Sequence, residues 1–222
     1  MNNSSVLKKS PLFSGITPEE IQTMLTCLSA VEKKYAKGTL IFRQGEAVNR
    51  MGLVLSGYIH ILKEDFWGNR TILSDITPSQ MFAESFACTH TQNITVSVLA
   101  VEPTTVLFID IGQILNTCTP SCVFHSRIIR NLLSILAGKN IMLTGKIEHI
   151  TKRTTREKLL SYLSAESMKV GSSSFQIPFN RQQLAEYLAV DRSAMSMELS
   201  KLQQEGFLTY QKNSFHLNDT FH

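Results

Sequence analysis

A chain of 222 residues can hold one large or two modest domains, each able to bury a core without disulfide or metal staples. Its composition, 43% hydrophobic and 18% charged with 11 glycines and 6 prolines, excludes a disordered or collagen-like chain. A net charge of +4 permits an acidic partner but falls short of a histone-like polycation. Residues 151 to 222 carry nine Lys and Arg against seven Asp and Glu, so a nucleic-acid footprint has to come from local placement.

The first residues, MNNSSVLKKSPLFSG, contain no apolar leader core, and no run approaches the roughly 18 apolar residues of a membrane helix. The expectation is a cytoplasmic protein without a membrane partner. Four cysteines, at 27, 88, 118 and 122, are too sparse for a secreted disulfide framework and read as reduced thiols.

In chain order, Thr17-Pro18-Glu19-Glu20 reads as a helix start: an N-cap, a proline in the first turn and early acids. Ile21, Leu25 and Leu28 fall on one face of the short helix that follows. From Tyr35 to Asp110 the pattern becomes short β-type runs punctuated by glycine, at 40–42, 51–55, 58–62, 71–73, 95–101 and 106–110. Such spacing predicts a sandwich or roll.

After Thr119-Pro120 the period turns helical and stays so to about residue 150. Ile129, Leu133, Leu136, Asn140, Leu143, Ile147 and Ile150 alternate steps of four and three, a heptad stripe with one polar member. In a parallel two-stranded coil one seam asparagine costs stability but sets register and favours dimers. The alternative is an amphipathic helix buried within a monomer. A second row, Ile128, Leu132 and Ile135, is placed to pack against the chain's own roll.

Thr154-Thr155-Arg156-Glu157 matches a capping box and opens a helix with Leu159, Leu160 and Leu163 inward. A loop at 168–174 and a strand at 175–179 lead to Asn180, which caps RQQLAEYL, with Gln183 at the third helical position. Asp191 then caps RSAMSMELSKLQQE, closed by Gly206. Small Ala185 and Ala189 permit a close helix crossing. Leu184, Leu188, Val190, Met195, Leu199 and Leu202 supply the shared core. Arg192, Ser193, Ser196 and Met197 are left outward at the N-terminal end of the second helix, where a reading helix meets base edges. FLTY and SFHL flank Gln211-Lys212-Asn213 as a hairpin wing, and Lys152, Arg153, Arg156, Arg181 and Lys212 ring this face. A plain three-helix packing unit is the structural alternative.

From about residue 10 to 218 the chain resembles the superfamily of the cyclic-AMP receptor protein and the fumarate and nitrate reduction regulator (Crp/Fnr). The resemblance rests on KGTLIFRQGE at 37–46, GLVLSGYIHIL at 52–62, GNRTIL at 68–73, MFAESFA at 81–87, TTREKLLSYL at 154–163 and NRQQLAEYLAVDRSAMSMELSKLQQEGFL at 180–208. It implies an α+β chain in three parts. Residues 1–120 form a double-stranded β-helix, a jelly roll of the cyclic-nucleotide-binding kind; 121–150 form a dimerisation helix; and 151–222 form a winged helix-turn-helix. It further implies a homodimer on double-stranded DNA with a palindromic operator, and an effector or cofactor in the roll; for this chain the expectation is a small-molecule effector and no resident cofactor. For an activator it also implies contact with RNA polymerase, through the 168–174 loop.

Transferred position by position, the family's effector pocket falls on Ala83, Glu84, Ser85, Ile94 and Thr95. Its glycine is Ala83, its ribose-binding glutamate Glu84, and its phosphate-binding arginine is replaced by Ile94. A buried cyclic phosphate needs a charge-assisted partner, which isoleucine lacks, so cyclic AMP is not the expected effector. Base-reading positions fall on Arg192, Ser193, Ser196 and Met197, and phosphate-contacting ones on Thr154, Arg181, Gln182 and Lys212. Serine at 193 and methionine at 197 replace the common acid and arginine, so the operator is expected to differ from familiar ones.

The iron-sulfur branch carries an N-terminal cysteine cluster, and only Cys27 lies there. Cys118, Cys122 and His125 have helical spacing suited to zinc or haem iron, against ordinary packing of small buried thiols. A jelly-roll metalloenzyme needs several converging ligands, yet the roll offers only His60 and His90, and no nucleotide-binding loop or nucleophile elbow is present. The expectation is therefore a regulator and not an enzyme, with a ligand-sensing scaffold that does not bind DNA as the rival.

Overall fold

The computed structural model describes residues 4–89, 93–115 and 123–218. It divides into two compact units, Met1–Ala137 and Gly138–His222, whose boundary falls inside one long helix.

In the first unit, α1 (Ser4–Lys9), a 3₁₀ turn (Pro11–Phe13) and α2 (Pro18–Cys27) precede the strands. Thr17 caps α2 through its side-chain oxygen, as expected from sequence, and the Glu20 carboxylate accepts in return from the Thr17 N–H at 2.8 Å, which completes a reciprocal box. Eight strands follow: β1 (Val31–Tyr35), β2 (Leu40–Phe42), β3 (Arg50–Ser56), β4 (Ile59–Glu64), β5 (Arg70–Ile76), β6 (Met81–Phe82), β7 (Ser97–Ala100) and β8 (Thr104–Asp110). α3 (Glu84–Thr89) lies between β6 and β7, and α4 (Ile111–Leu115) follows β8. The strands pair antiparallel in two sheets, ordered β1-β8-β3-β6 and β2-β7-β4-β5, the arrangement of a jelly roll.

Both sheets contribute to one core. The rings of Phe42, Phe82 and Phe108 meet edge to face at 5.7 to 6.4 Å across the sheets. Gly52 is required there, because a Cβ at this position would stand 2.2 Å from the Phe82 ring. The strand at 31–35 was not anticipated, since VEKKY is mostly exposed and lacks alternation. Helix α1 was also missed: it is too short to be stable alone and is held by burial of Leu7.

Helix α5 is described over Val123–Ile150. Ile128 and Leu132 are buried in the core of the roll, with Ile135 packed against it, as the second apolar row suggested. Of the heptad stripe, Ile129 and Leu136 also rest partly on that core, whereas Leu133, Leu143 and Ile147 are 61%, 53% and 56% exposed. Asn140 is exposed among them.

The second unit continues with α6 (Thr155–Val170), β9 (Ser174–Gln176), α7 (Arg181–Leu188), α8 (Arg192–Gln204), β10 (Leu208–Gln211) and β11 (Ser214–Leu217). Its sheet is ordered β10-β11-β9, all antiparallel. Two sequence boundaries need correction. Residues 168–170 belong to α6, which ends at the left-handed Gly171, so the expected 168–174 loop is shorter; and the strand ends at Gln176, because Pro178 has no N–H for a ladder. Leu159, Leu163, Leu184, Leu188, Met195, Leu199 and Leu202 form one buried cluster with Phe175 and Phe215.

Candidate nucleic-acid interface

The surface expected to read DNA starts from three caps. The Thr154 hydroxyl oxygen accepts from Glu157 N–H at 3.1 Å, and the Glu157 carboxylate accepts from Thr154 N–H at 3.0 Å. Asn180 and Gln183 repeat the exchange at 2.9 Å in each direction, fixing the start of α7. Asp191 Oδ1 accepts from Ala194 N–H at 2.9 Å and opens α8. Between the two helices the chain reverses at Ala189, a left-handed residue at φ 51°. Ala185 is buried where small size was expected to matter; Ala189 is instead exposed, because it forms the turn and not the crossing.

The first turns of α8 display the expected reading residues. Arg192, Ser193 and Met197 are exposed, Met197 at 61%, and Ser196 is half-buried. Both serine hydroxyls donate within the chain: Ser193 to Asp191 Oδ1 at 2.5 Å, and Ser196 to the Arg192 carbonyl at 2.9 Å. Each oxygen therefore faces solvent mainly as an acceptor. The Ser193 and Ala194 bonds draw the Asp191 carboxyl below its ordinary pKa, which keeps the cap charged.

The surrounding cations separate into two groups. Lys152, Arg153 and Lys212 are exposed, Lys212 in the two-residue turn between β10 and β11 at φ 53°. Arg156 and Arg181 belong to the fold. Arg156 bridges Glu198 at 3.3 Å and Glu205 at closer range, and its guanidinium lies 4.8 Å from the Phe207 ring centre. The half-buried Arg181 lies 4.6 Å from the Tyr210 ring and 5.2 Å from the Phe215 ring. Gln182 is exposed and donates to Glu186 at 2.8 Å. Charge alone marks all five cations as candidates; the acids and rings that engage two of them lie 29 to 51 residues away, where local pattern carries no signal.

At the other candidate site, the expected effector pocket, two of the five positions, Glu84 and Ile94, are buried. Ile94 is 1% exposed and joins the hydrophobic cluster of the roll. Glu84 is 4% exposed at the first position of α3, and Ser85 and Thr95 are exposed. Ala83 adopts φ 61°, a left-handed conformation that suits the glycine found in the family motif. An anion placed at residue 94 would meet a buried aliphatic side chain with no donor.

His125, the third member of the suggested metal trio, is buried with Nε2 3.2 Å from the Gln113 carbonyl and 3.9 Å from Cys27 Sγ. Cys118 and Cys122 lie outside the described residues, as does His90. His60, on β4, lies 3.3 Å from Asp75 and edge-on to Tyr58. No cluster of three or more His, Cys, Asp or Glu suited to a metal exists among the described residues. Also among the described residues, no helix is long and apolar enough to cross a membrane.

Comparison with known proteins follows the same division of the chain. A model of the cyclic nucleotide-binding domain matches residues 32–120, and one of the Crp-like helix-turn-helix domain matches residues 126–220. The chain is 31% identical over 101 residues to the cyclic AMP receptor protein of Thermus thermophilus, a stretch covering 46% of this chain and 45% of that relative's length. The crystal structure of the catabolite activator protein of Thermus thermophilus superposes with a TM-score of 0.51 at 23% identity, covering 95% of this chain and 94% of that one. The c-di-GMP responsive global regulator CLP of Xanthomonas campestris gives 0.53 at 18% identity, covering 90% and 98%. At such identities the structural likeness is one of fold.

Proposed function

Because the chain belongs to the Crp/Fnr family of transcription regulators, we propose that it acts as a homodimer reading a palindromic operator in double-stranded DNA, under an effector other than cyclic AMP. The observation that carries this reading is the pair α7 and α8: two capped helices on a buried core, with Arg192, Ser193 and Met197 exposed at the start of the second. In a helix-turn-helix it is this exposed first part of the second helix that enters a major groove.

Arg192 supplies the fork that suits guanine O6 and N7, Ser193 and Ser196 accept from base amino groups, and Met197 offers apolar contact to a thymine methyl. Thr154, Gln182 and Lys212 lie at the periphery as phosphate contacts that set register without reading sequence. Dimerisation through the exposed stripe of Leu133, Leu143 and Ile147, with Asn140 setting register, places two reading helices about one DNA turn apart, near 34 Å. The isoleucine at 94 supports an effector that does not present a cyclic phosphate to that position.

Selection of bound duplexes from a randomised pool tests this reading. The expected product is a two-fold symmetric sequence with half-sites about 10 base pairs apart. Calorimetry with cyclic AMP should give no heat at micromolar ligand. Recovery of no duplex at low salt, with or without host metabolites, would favour a sensing scaffold that does not bind DNA.

A further inference from the structure

Arg181 differs from Arg156, the other ring-bound cation near α8, in meeting two rings on paired strands. It is the first residue of α7, and the Asn180–Gln183 exchange holds its backbone in place. Its guanidinium faces two rings that stand directly opposite each other in the β10–β11 register, Tyr210 and Phe215, themselves stacked at 5.9 Å. Tyr210 directly precedes Gln211 and Phe215 directly follows Ser214, so these rings form the base of the turn that carries Lys212.

A planar cation lying on one ring from each strand restrains both splaying and twisting of a two-stranded ribbon. Lysine could supply the charge but not the plane. Arg181 Nη2 is buried and has no hydrogen-bond partner among the described residues, so it would have to leave its enclosed position to reach a phosphate oxygen. Arginine here thus serves the ribbon more directly than it serves an external anion.

We propose that Arg181 is a positioning residue for the wing and not a phosphate contact. It fastens the β10–β11 hairpin to α7 and thereby sets where Lys212 stands relative to the reading end of α8. The inference rests on the DNA-binding reading above, and its consequence is specific: loss of Arg181 should disturb the part of the footprint that the wing provides and spare the part that α8 provides.

The test uses the full chain and three variants, Arg181→Lys, Arg181→Met and Lys212→Gln, with a duplex selected by the parent protein. Hydrogen exchange of the β10–β11 amides is measured without DNA; salt dependence and hydroxyl-radical footprints are measured with it. Arg181→Lys should speed wing exchange on the order of tenfold, lose the same backbone protections as Lys212→Gln and lower the salt slope by the same amount, about 0.9. Lys212→Gln should lower that slope by about 0.9 with wing exchange unchanged. The proposal is overturned if Arg181→Lys exchanges and footprints like the parent, or if Arg181→Met lowers the slope by about 0.9 with wing exchange unaltered. Should Arg181→Met fail to fold, the lysine variant alone decides. If the parent retains no duplex, the DNA-binding reading fails, and exchange still shows separately whether Arg181 fastens the hairpin.

Discussion

The positions proposed for recognition have opposite environments in the two units. On α8 the proposed reading residues Arg192, Ser193 and Met197 are exposed on a frame fixed by Asp191 and by buried Met195, Leu199 and Leu202. In the roll, the position that would meet a cyclic phosphate is Ile94, buried in the core, and the residue at the glycine position, Ala83, keeps a left-handed backbone without being glycine. The contrast teaches that the two positions answer to different constraints, exposure on a fixed frame in one unit and burial within a packed core in the other. A surface site tolerates exchange of its reading side chains because the frame beneath does not depend on them; a cavity site does not, since removing a polar anchor invites the core to fill the space.

Core truncations probe that contrast with the largest effects. Leu199→Ala should destabilise the C-terminal unit by about 2–5 kcal/mol and abolish duplex retention, as followed by denaturant unfolding and gel retention. Ile94→Ala should cost a similar amount, about 2–5 kcal/mol, if residue 94 is core. A cost near zero would instead identify an adaptable pocket and weaken the distinction between the units.

Next in size, Met197→Arg should move selection toward guanine at one position of each half-site by about 1–3 kcal/mol without changing the melting temperature. An unchanged selected sequence would remove Met197 from the reading set. Ala83→Gly should stabilise the roll by about 1 kcal/mol, because glycine adopts φ near +60° without a Cβ penalty. A destabilisation would mean that the alanine methyl packs more favourably than the backbone is strained.

The smallest effect concerns pH. His149 is buried near the end of α5, with Nδ1 2.8 Å from Ser161 Oγ and its ring against Tyr162 and Tyr187. Burial pushes its pKa below 6.5, with Glu148 and Glu166 opposing and Lys152 adding to the depression. The unfolded chain therefore takes up the proton first, so stability is complete above about pH 6.5 and is lost as pH falls through the folded value. Urea midpoints at about pH 7.5 and about pH 5.5 should show this loss, reduced in His149→Gln. An identical pH response in that variant would assign the loss to other groups.

How much of this was legible in sequence follows the range of the interactions. The caps at Thr17, Thr154 and Asn180 are local chemistry over three residues: all three are legible, the one at Thr154 as a full box, and the structure completes the box at the other two. The mostly exposed β1 strand has no alternation to read, and α1 depends on burial of Leu7. Arg156 and Arg181 looked like solvent-facing cations because Glu198, Glu205, Tyr210 and Phe215 become their neighbours only on folding. The replacement of arginine by Ile94 was visible in sequence; that the isoleucine is 1% exposed in a continuous core was not.

The central claim is tested most directly by binding of the purified chain to its selected duplex across about 50 to 200 mM salt, with stoichiometry read by sedimentation. The expected result is two chains per duplex and an affinity that falls linearly on a log–log plot, by about 10³ or more for six to ten phosphate contacts. A single chain per duplex, or an affinity indifferent to salt, would contradict it.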